Sequence, residues 1–385
     1  MFFPMALFVV YGVLPYSLYH FAGNEYAWQM IFITLAGCLG LWGGWQVRIR
    51  QRMYLASLDV RILLALVWIP FILFTILVWA TAERIPLIVA LQGGDPDSIA
   101  YYREMFLKAR GGWQASFVYI NAALTGALIP YCIALMFYFK MRFRWWYFLY
   151  FLFYCISFME KAYFFKALVP LVYLVVQNRI KLPFRSTYLL AAAFGMLLLV
   201  TVLSGLSSGG ASPGGGDTML STAYAPSGPL ALLVWRSVFI PALTAVDSLR
   251  TFYETFGGRY FLGGTSSFFT GLLGIPHVEF ERAVFFAQWG QNLTGTGSSN
   301  AVYLIEAFVN WGYPGVLAIS FLCGALIRLF AVSKSEPLRA LWILFCYGLF
   351  TAGFIGLLMS NGFLMVFLLV FFFRLTAPSP HSRDH

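Results

Sequence analysis

The feature that most constrains this chain is a succession of apolar runs, most of them about 17 to 25 residues long, the length a helix needs to cross a bilayer. They centre on 2–19, 28–46, 62–82, 117–139, 146–159, 163–177, 187–206, 301–327, 339–357 and 361–375. A backbone that enters lipid must satisfy its own polar groups, so such runs fold as helices. The expected fold is all-α: a polytopic integral membrane protein with about ten transmembrane helices, within a range of roughly nine to twelve. It forms a single transmembrane domain over 1–385. Composition agrees: 61% apolar and 10% charged residues leave too little polar surface to clothe soluble domains of this length. A soluble enzyme, a disordered chain and a disulfide scaffold are excluded on that ground.

Charge orients the runs. Arg48, Arg50, Arg52 and Arg61 follow the second run, and Lys140, Arg142 and Arg144 follow the fourth. Arg179, Lys181 and Arg185 follow the sixth, Arg328, Lys334 and Arg339 flank the turn after the eighth, and Arg374 and Arg383 close the chain. These are 15 of the 25 basic residues, against only Asp59, Glu336 and Asp384. With ten spans they fall on one side, which the positive-inside rule makes cytoplasmic together with both termini. The net charge of +10 is thus a topology signal, and it calls for no nucleic acid. The first run lacks a basic leader and a small-residue cleavage site, so it reads as a retained span. Glu160-Lys161 separates the fifth and sixth runs, placing a costly ion pair at a turn rather than mid-membrane.

Two external segments hold most of the remaining polar chemistry. The first loop, 83–116, contains an amphipathic helix with Asp95 or Asp97 as its N-cap, Pro96 at its start and Gly111-Gly112 at its end. Arg103, Lys108 and Arg110 present cations there, and Asp95-Pro96-Asp97 spells a DxD string that capping also explains. The second and larger loop, 207–300, lies between the seventh and eighth spans. It opens as a Gly/Ser/Pro linker and continues into 229–249, apolar enough to cross. A simple crossing there would put Lys334 and Arg339 outside, so the expectation is a membrane-associated or re-entrant helix. At about 100° per residue, Arg236, Asp247, Arg250 and Glu254 fall on one face of it. Pairing of Arg250 with Asp247 or Glu254 leaves Arg236 alone among apolar neighbours. Beyond lie Arg259, His277, Glu279, Glu281 and Arg282 in a Gly- and aromatic-rich stretch. His277 has no metal partner, and no nucleotide, hydrolase or zinc-protease motif occurs, so no metal and no cofactor are called for. Arg outnumbers Lys 19 to 6, a bias toward bidentate phosphate binding.

An Arg-bearing external helix, the stretch IPHVEFER, and then SSNAVYLIEAFVNWGYPGVLAISFLCGALIR entering a span together resemble bacterial oligosaccharide repeat-unit polymerases, the Wzy-type O-antigen polymerases. The closest local likeness is 298–328, with Glu306, Asn310-Trp311-Gly312, Gly315 and Gly324. Ser157 to Lys161 loosely resembles the family's Gly-Ser-Arg/Lys-Ser element, without its glycine. The paired Arg-x10-Gly loops of some members have no counterpart. The resemblance implies a GT-C-like membrane enzyme of the inner membrane. It would transfer glycan from an undecaprenyl-diphosphate donor to a lipid-linked acceptor at the external face, alone or beside a chain-length regulator. Candidates for stabilising the diphosphate are Arg236, Arg250, Lys161, Arg103, Arg110, Arg259 and Arg282. Candidates for the base are Glu306, Glu281, Asp247 and His277, with Arg236 as the leading catalytic cation. An O-antigen ligase is the nearest alternative. A lipid-linked sugar flippase is a more distant one, since such transporters are usually built from two similar halves.

Overall fold

The computed structural model describes residues 2–49, 55–159, 162–180, 219–222, 224, 226, 228–290, 298–299 and 302–376. The seventh apolar run, Glu160 with Lys161, and most of the Gly/Ser/Pro linker lie outside the described residues. Among the described residues helix dominates, and five helices are long and apolar enough by length and composition to cross a membrane: Phe2–Phe21, Glu25–Trp45, Val60–Thr81, Gly112–Tyr138 and Tyr303–Val332, the last broken at Gly312. Shorter helices occupy the other described runs: Arg144–Ser157, Ala162–Val176, Trp342–Thr351, Phe354–Met359 and Phe363–Phe372. A short parallel strand pair, Ala56–Asp59 with Phe373–Thr376, departs from a purely helical chain.

The helices gather into two compact units. One comprises Met1–Ile49, Leu198–Val332 and Cys346–Leu357; the other comprises Arg50–Leu197, Ser333–Phe345 and Leu358–His385.

In the first unit the eighth run is not one crossing. Gly312 takes φ 64° and ψ −157°, a conformation essentially confined to glycine. In a straight helix Tyr303 and Ser320 would lie about 25 Å apart, yet their hydroxyls are hydrogen-bonded at 3.1 Å. A Cβ added at Gly315 would meet the Ala307 carbonyl oxygen at 2.7 Å. The chain therefore folds back on itself at Gly312. Residues 303–311 form a half-helix antiparallel to 313–332, and the expectation of a single span over 301–327 is corrected accordingly.

The descending arm packs parallel to the Glu25–Trp45 helix through small residues. A Cβ at Gly40 would lie 2.7 Å from the Leu317 carbonyl oxygen, and one at Gly44 would overlap that of Phe321. Gly324 packs as closely on the Leu41 carbonyl. Glycines four apart let two backbones approach to this degree, which is how helices associate where lipid supplies no hydrophobic drive. Arg328 lies over the Trp45 ring at 5.1 Å, marking one end of the pair. Asn24 caps the other end by accepting from the Tyr26 N–H at 3.1 Å.

Residues 229–254 form one helix, interrupted only by a π turn at Trp235–Phe239. Its last residues meet the start of Glu25–Trp45: Gln29 Nε2 donates to Tyr253 Oη at 2.6 Å, and Tyr26 Oη donates to Glu254 at 3.1 Å. It also packs on Leu14–Ala22 and on the π turn Val9–Val13, so it lies along the first hairpin. It is about 39 Å long from end to end.

In the second unit Asp95 caps the amphipathic Pro96–Leu107 helix, accepting from the Ser98 N–H at 3.0 Å. That is the capping expected of the DxD string. Glu336 is bracketed by Arg179 and Arg339, each at 3.0 Å. Arg110 is absorbed by the fold: it donates to the carbonyls of Phe106 (2.7 Å) and Val78 (3.0 Å) and to Thr81 and Gln114, tying off the end of Val60–Thr81. Arg103 is exposed in the same unit.

Candidate functional site

The site is built where the Gly312 reversal meets the loop that follows residue 254. Reversing a helix leaves carbonyls without partners. The loop supplies donors: Phe261 N–H to the Val309 carbonyl at 3.0 Å and Leu262 N–H to that of Asn310 at 3.1 Å. The Asn310 side chain, 1% exposed, completes the clamp. Its Oδ1 accepts from Gly263 N–H at 2.9 Å, and its Nδ2 donates to Thr265 Oγ1 at 2.7 Å and to the Glu306 carbonyl at 2.8 Å. The Asn-Trp-Gly string that carried the family resemblance is thus the device that holds the loop.

From there the chain runs through Ser267–Leu273 and returns. Val278 N–H donates to the Gly264 carbonyl at 2.9 Å, fixing the His277 segment. The Phe280–Trp289 helix then packs its Phe280 on Phe256 (5.9 Å) and Phe261 (5.6 Å). Gln288 bonds Thr244 at 3.1 Å and accepts from Ser299 at 3.1 Å, stitching three segments together.

Four carboxylate or imidazole groups were candidates for a base, and their surroundings separate them. Glu306 lies against Gly353 and accepts from the backbone N–H of Ile355 at 3.3 Å and from that of Phe354. It serves as a cap for the Phe354–Met359 helix. Asp247 pairs with Arg250 at 3.7 Å. Glu281 is different. It accepts from Ser298 Oγ at 2.8 Å, has His277 as an electrostatic neighbour, and lies near enough to Glu306 for their charges to oppose. The surrounding protein pushes its carboxyl above the ordinary glutamate range, with Ser298 and His277 acting in the opposite sense. Glu281 and His277 are both exposed. Glu281 is therefore the open carboxylate, with Ser298 as its hydrogen-bond partner and His277 and Glu306 as electrostatic neighbours.

The cations divide as well. Arg282 is held by Glu279 at 2.9 Å and Arg250 by Asp247. Arg259 is exposed and makes no ion pair or side-chain hydrogen bond among the described residues. It stands on the loop that packs against Phe280. Arg236 is also exposed, inside the π turn. The extra residue of a π turn sets the helix back by roughly 100°, so Arg236 does not share a face with Asp247, Arg250 and Glu254 as a regular helix predicts. It lies about 26 Å along the helix from Tyr253, so it is not gathered with Glu281. Lys161 falls outside the described residues.

Sequence reasoning named Glu281, His277 and Arg259 but missed the loop clamp. Its signal was the crowding of Asn310, Gly312 and Pro314 inside an apolar run, punctuation that a plain span does not need. Among the described residues, no three His, Cys, Asp or Glu side chains gather as a metal-binding group. Compared with known protein families, curated proteins and solved structures, the chain matches none.

Proposed function

We propose that this chain is a membrane glycosyltransferase that moves glycan from one polyprenyl-diphosphate carrier to a second, lipid-linked acceptor, the repeat-unit polymerase reaction its sequence resembles. In this reading it crosses the bacterial inner membrane about ten times, with both termini cytoplasmic and the Gly312 end of the first unit facing outward. The distribution of charge within that unit supports the orientation: Arg48 and Arg328 sit at the Trp45 end of the paired helices, and Glu25 and Glu254 at the other.

The observation that carries the proposal is the packing of the Arg259 loop on the helix that bears Glu281, through Phe256, Phe261 and Phe280. Breaking a glycosyl–diphosphate bond develops negative charge on the leaving group, which a fixed guanidinium stabilises. Arg259 supplies that charge. The attacking sugar hydroxyl must lose its proton, and Glu281 takes it, held in position by Ser298, with His277 as an electrostatic neighbour. A carboxyl with a raised pKa is closer in basicity to that task than an ordinary one.

The test is deletion of the gene followed by electrophoresis of the surface glycan. The proposal predicts loss of the long-chain ladder with retention of material carrying a single repeat unit, and the same profile on complementation with Glu281→Gln. An unchanged ladder refutes the polymerase reading. Loss of every glycan-bearing band, single repeats included, selects a ligase or flippase instead.

A further inference from the structure

Beside Arg259, four tyrosines from four separate segments converge. Tyr26 begins the Glu25–Trp45 helix, Tyr253 ends the 229–254 helix, Tyr260 stands on the clamped loop, and Tyr313 follows the reversal. Tyr26 and Tyr253 stack at 5.9 Å with 12° between their planes. Tyr260 stacks on the buried Phe252 at 5.8 Å and 29°, and meets Phe308 edge-on at 6.1 Å. Phe308 in turn meets Tyr313 at 5.3 Å. The Tyr313 hydroxyl lies within reach of the Gln29 amide and near Tyr253 and Tyr260, and Gln29 also donates to Tyr253 at 2.6 Å. Tyr260 and Tyr313 remain 48% and 37% exposed.

An aromatic girdle at a lipid boundary leaves its hydroxyls to water and its rings to acyl chains. Here the hydroxyls of Tyr26 and Tyr253 are instead engaged by Glu254 and Gln29, Glu254 is exposed beside them, and the exposed Arg259 precedes Tyr260 in the chain. Rings held in place by buried phenylalanines, with an amide and a carboxylate at their rim, suit a ligand with one apolar face and a polar edge. A pyranose has that form: axial C–H bonds on its face and hydroxyls around its circumference.

We propose that Tyr26, Tyr253, Tyr260 and Tyr313 form a sugar-ring platform that holds a pyranose of the glycan substrate beside Arg259, with Gln29 and Glu254 bonding its hydroxyls. The identification of the occupant rests on the glycosyl-transfer reading above. Tyr260 and Tyr313 contribute the ring contacts. Asn310 positions the platform indirectly, because the loop it clamps carries Tyr260.

The experiment is saturation-transfer NMR on the full chain in nanodiscs, with methyl glycosides of glucose, galactose, mannose, N-acetylglucosamine and rhamnose as probes. At least one probe receives saturation on its ring-face protons from the wild type. In Tyr260→Ala and in Tyr313→Ala the apparent affinity falls about three- to tenfold, as expected for loss of one stacking contact of about 1 kcal/mol, and Tyr260→Phe restores it. Tyr313 lies at the surface, so Tyr313→Ala serves alone if Tyr260→Ala does not fold. Absence of transfer from all five probes, or equal transfer in the alanine variants, overturns the platform. Sugar binding together with an unchanged glycan ladder on gene deletion upholds the platform while refuting the polymerase. Loss of the ladder without sugar contact does the reverse.

Discussion

Replacing Gly312 by alanine probes the reversal on which the site depends. Two costs can be read from the structure. The backbone at φ 64°, ψ −157° is a region essentially closed to residues with a Cβ, and holding one there costs about 1–3 kcal/mol. The added methyl would also sit 3.0 Å from Cζ and the hydroxyl of Tyr260, so the ring must give by a few tenths of an ångström. Tyr260 is held by Phe252 and by the clamped loop, so that movement adds about 1 kcal/mol. The expected destabilisation is about 2–4 kcal/mol in all. Gly111→Ala is the control, because its φ is −103° and no atom lies within 4 Å of the new Cβ. Thermal unfolding of both variants in one detergent, followed by tryptophan fluorescence, separates them. The account expects a clear fall in Tm for Gly312→Ala and a Gly111→Ala curve that overlays the wild type. A Gly312→Ala protein as stable as wild type would mean that 303–332 runs straight, and the site described above would not exist.

Asn310→Ala leaves the buried Gly263 N–H without an acceptor and removes two donated bonds, so a loss of about 2–4 kcal/mol is expected, with faster proteolysis of the 255–266 loop as the readout. Gly44→Ala should prevent stable assembly of the first unit while Gly43→Ala is tolerated, because a Cβ at 44 overlaps the Phe321 carbonyl and one at 43 meets only the Phe321 ring at 3.5 Å; equal yields of folded protein would contradict the packing. Glu281 must be ionised to act as a base, and desolvation by the surrounding protein raises its pKa above the ordinary glutamate value. Transfer should therefore fall as pH drops through a midpoint above about 4.3, the ordinary glutamate value. Glu281→Gln should abolish that limb along with most of the activity, and a Glu281→Gln protein with wild-type turnover would dismiss the residue.

The membrane character of the chain was legible because apolar length is a one-dimensional property. The Asp95 cap was legible for the same reason, since an N-cap acts over three residues. Gly312 was harder. A reversal inside an apolar run keeps the run's hydropathy, and only the local chemistry of Asn310, Gly312 and Pro314 marks it. The face shared by Arg236 and Asp247 failed because the reading assumed a constant helical period, and a π turn breaks that period without an obvious residue signature. Glu306 and Glu281 were both candidates for the base in sequence. What separates them is the break at Gly353, far along the chain, whose N–H groups claim one carboxylate and leave the other open. The tyrosine platform was dispersed over Tyr26, Tyr253, Tyr260 and Tyr313, and nothing local links those positions.

The most direct test of the central claim is a reconstitution. Purified protein in nanodiscs is incubated with undecaprenyl-diphosphate-linked repeat units extracted from its own host, and the products are resolved by mass spectrometry. The account predicts carriers bearing two or more repeats, one undecaprenyl diphosphate released for each bond formed, and neither product with Glu281→Gln. Single repeats persisting unchanged beside folded wild-type protein would contradict it.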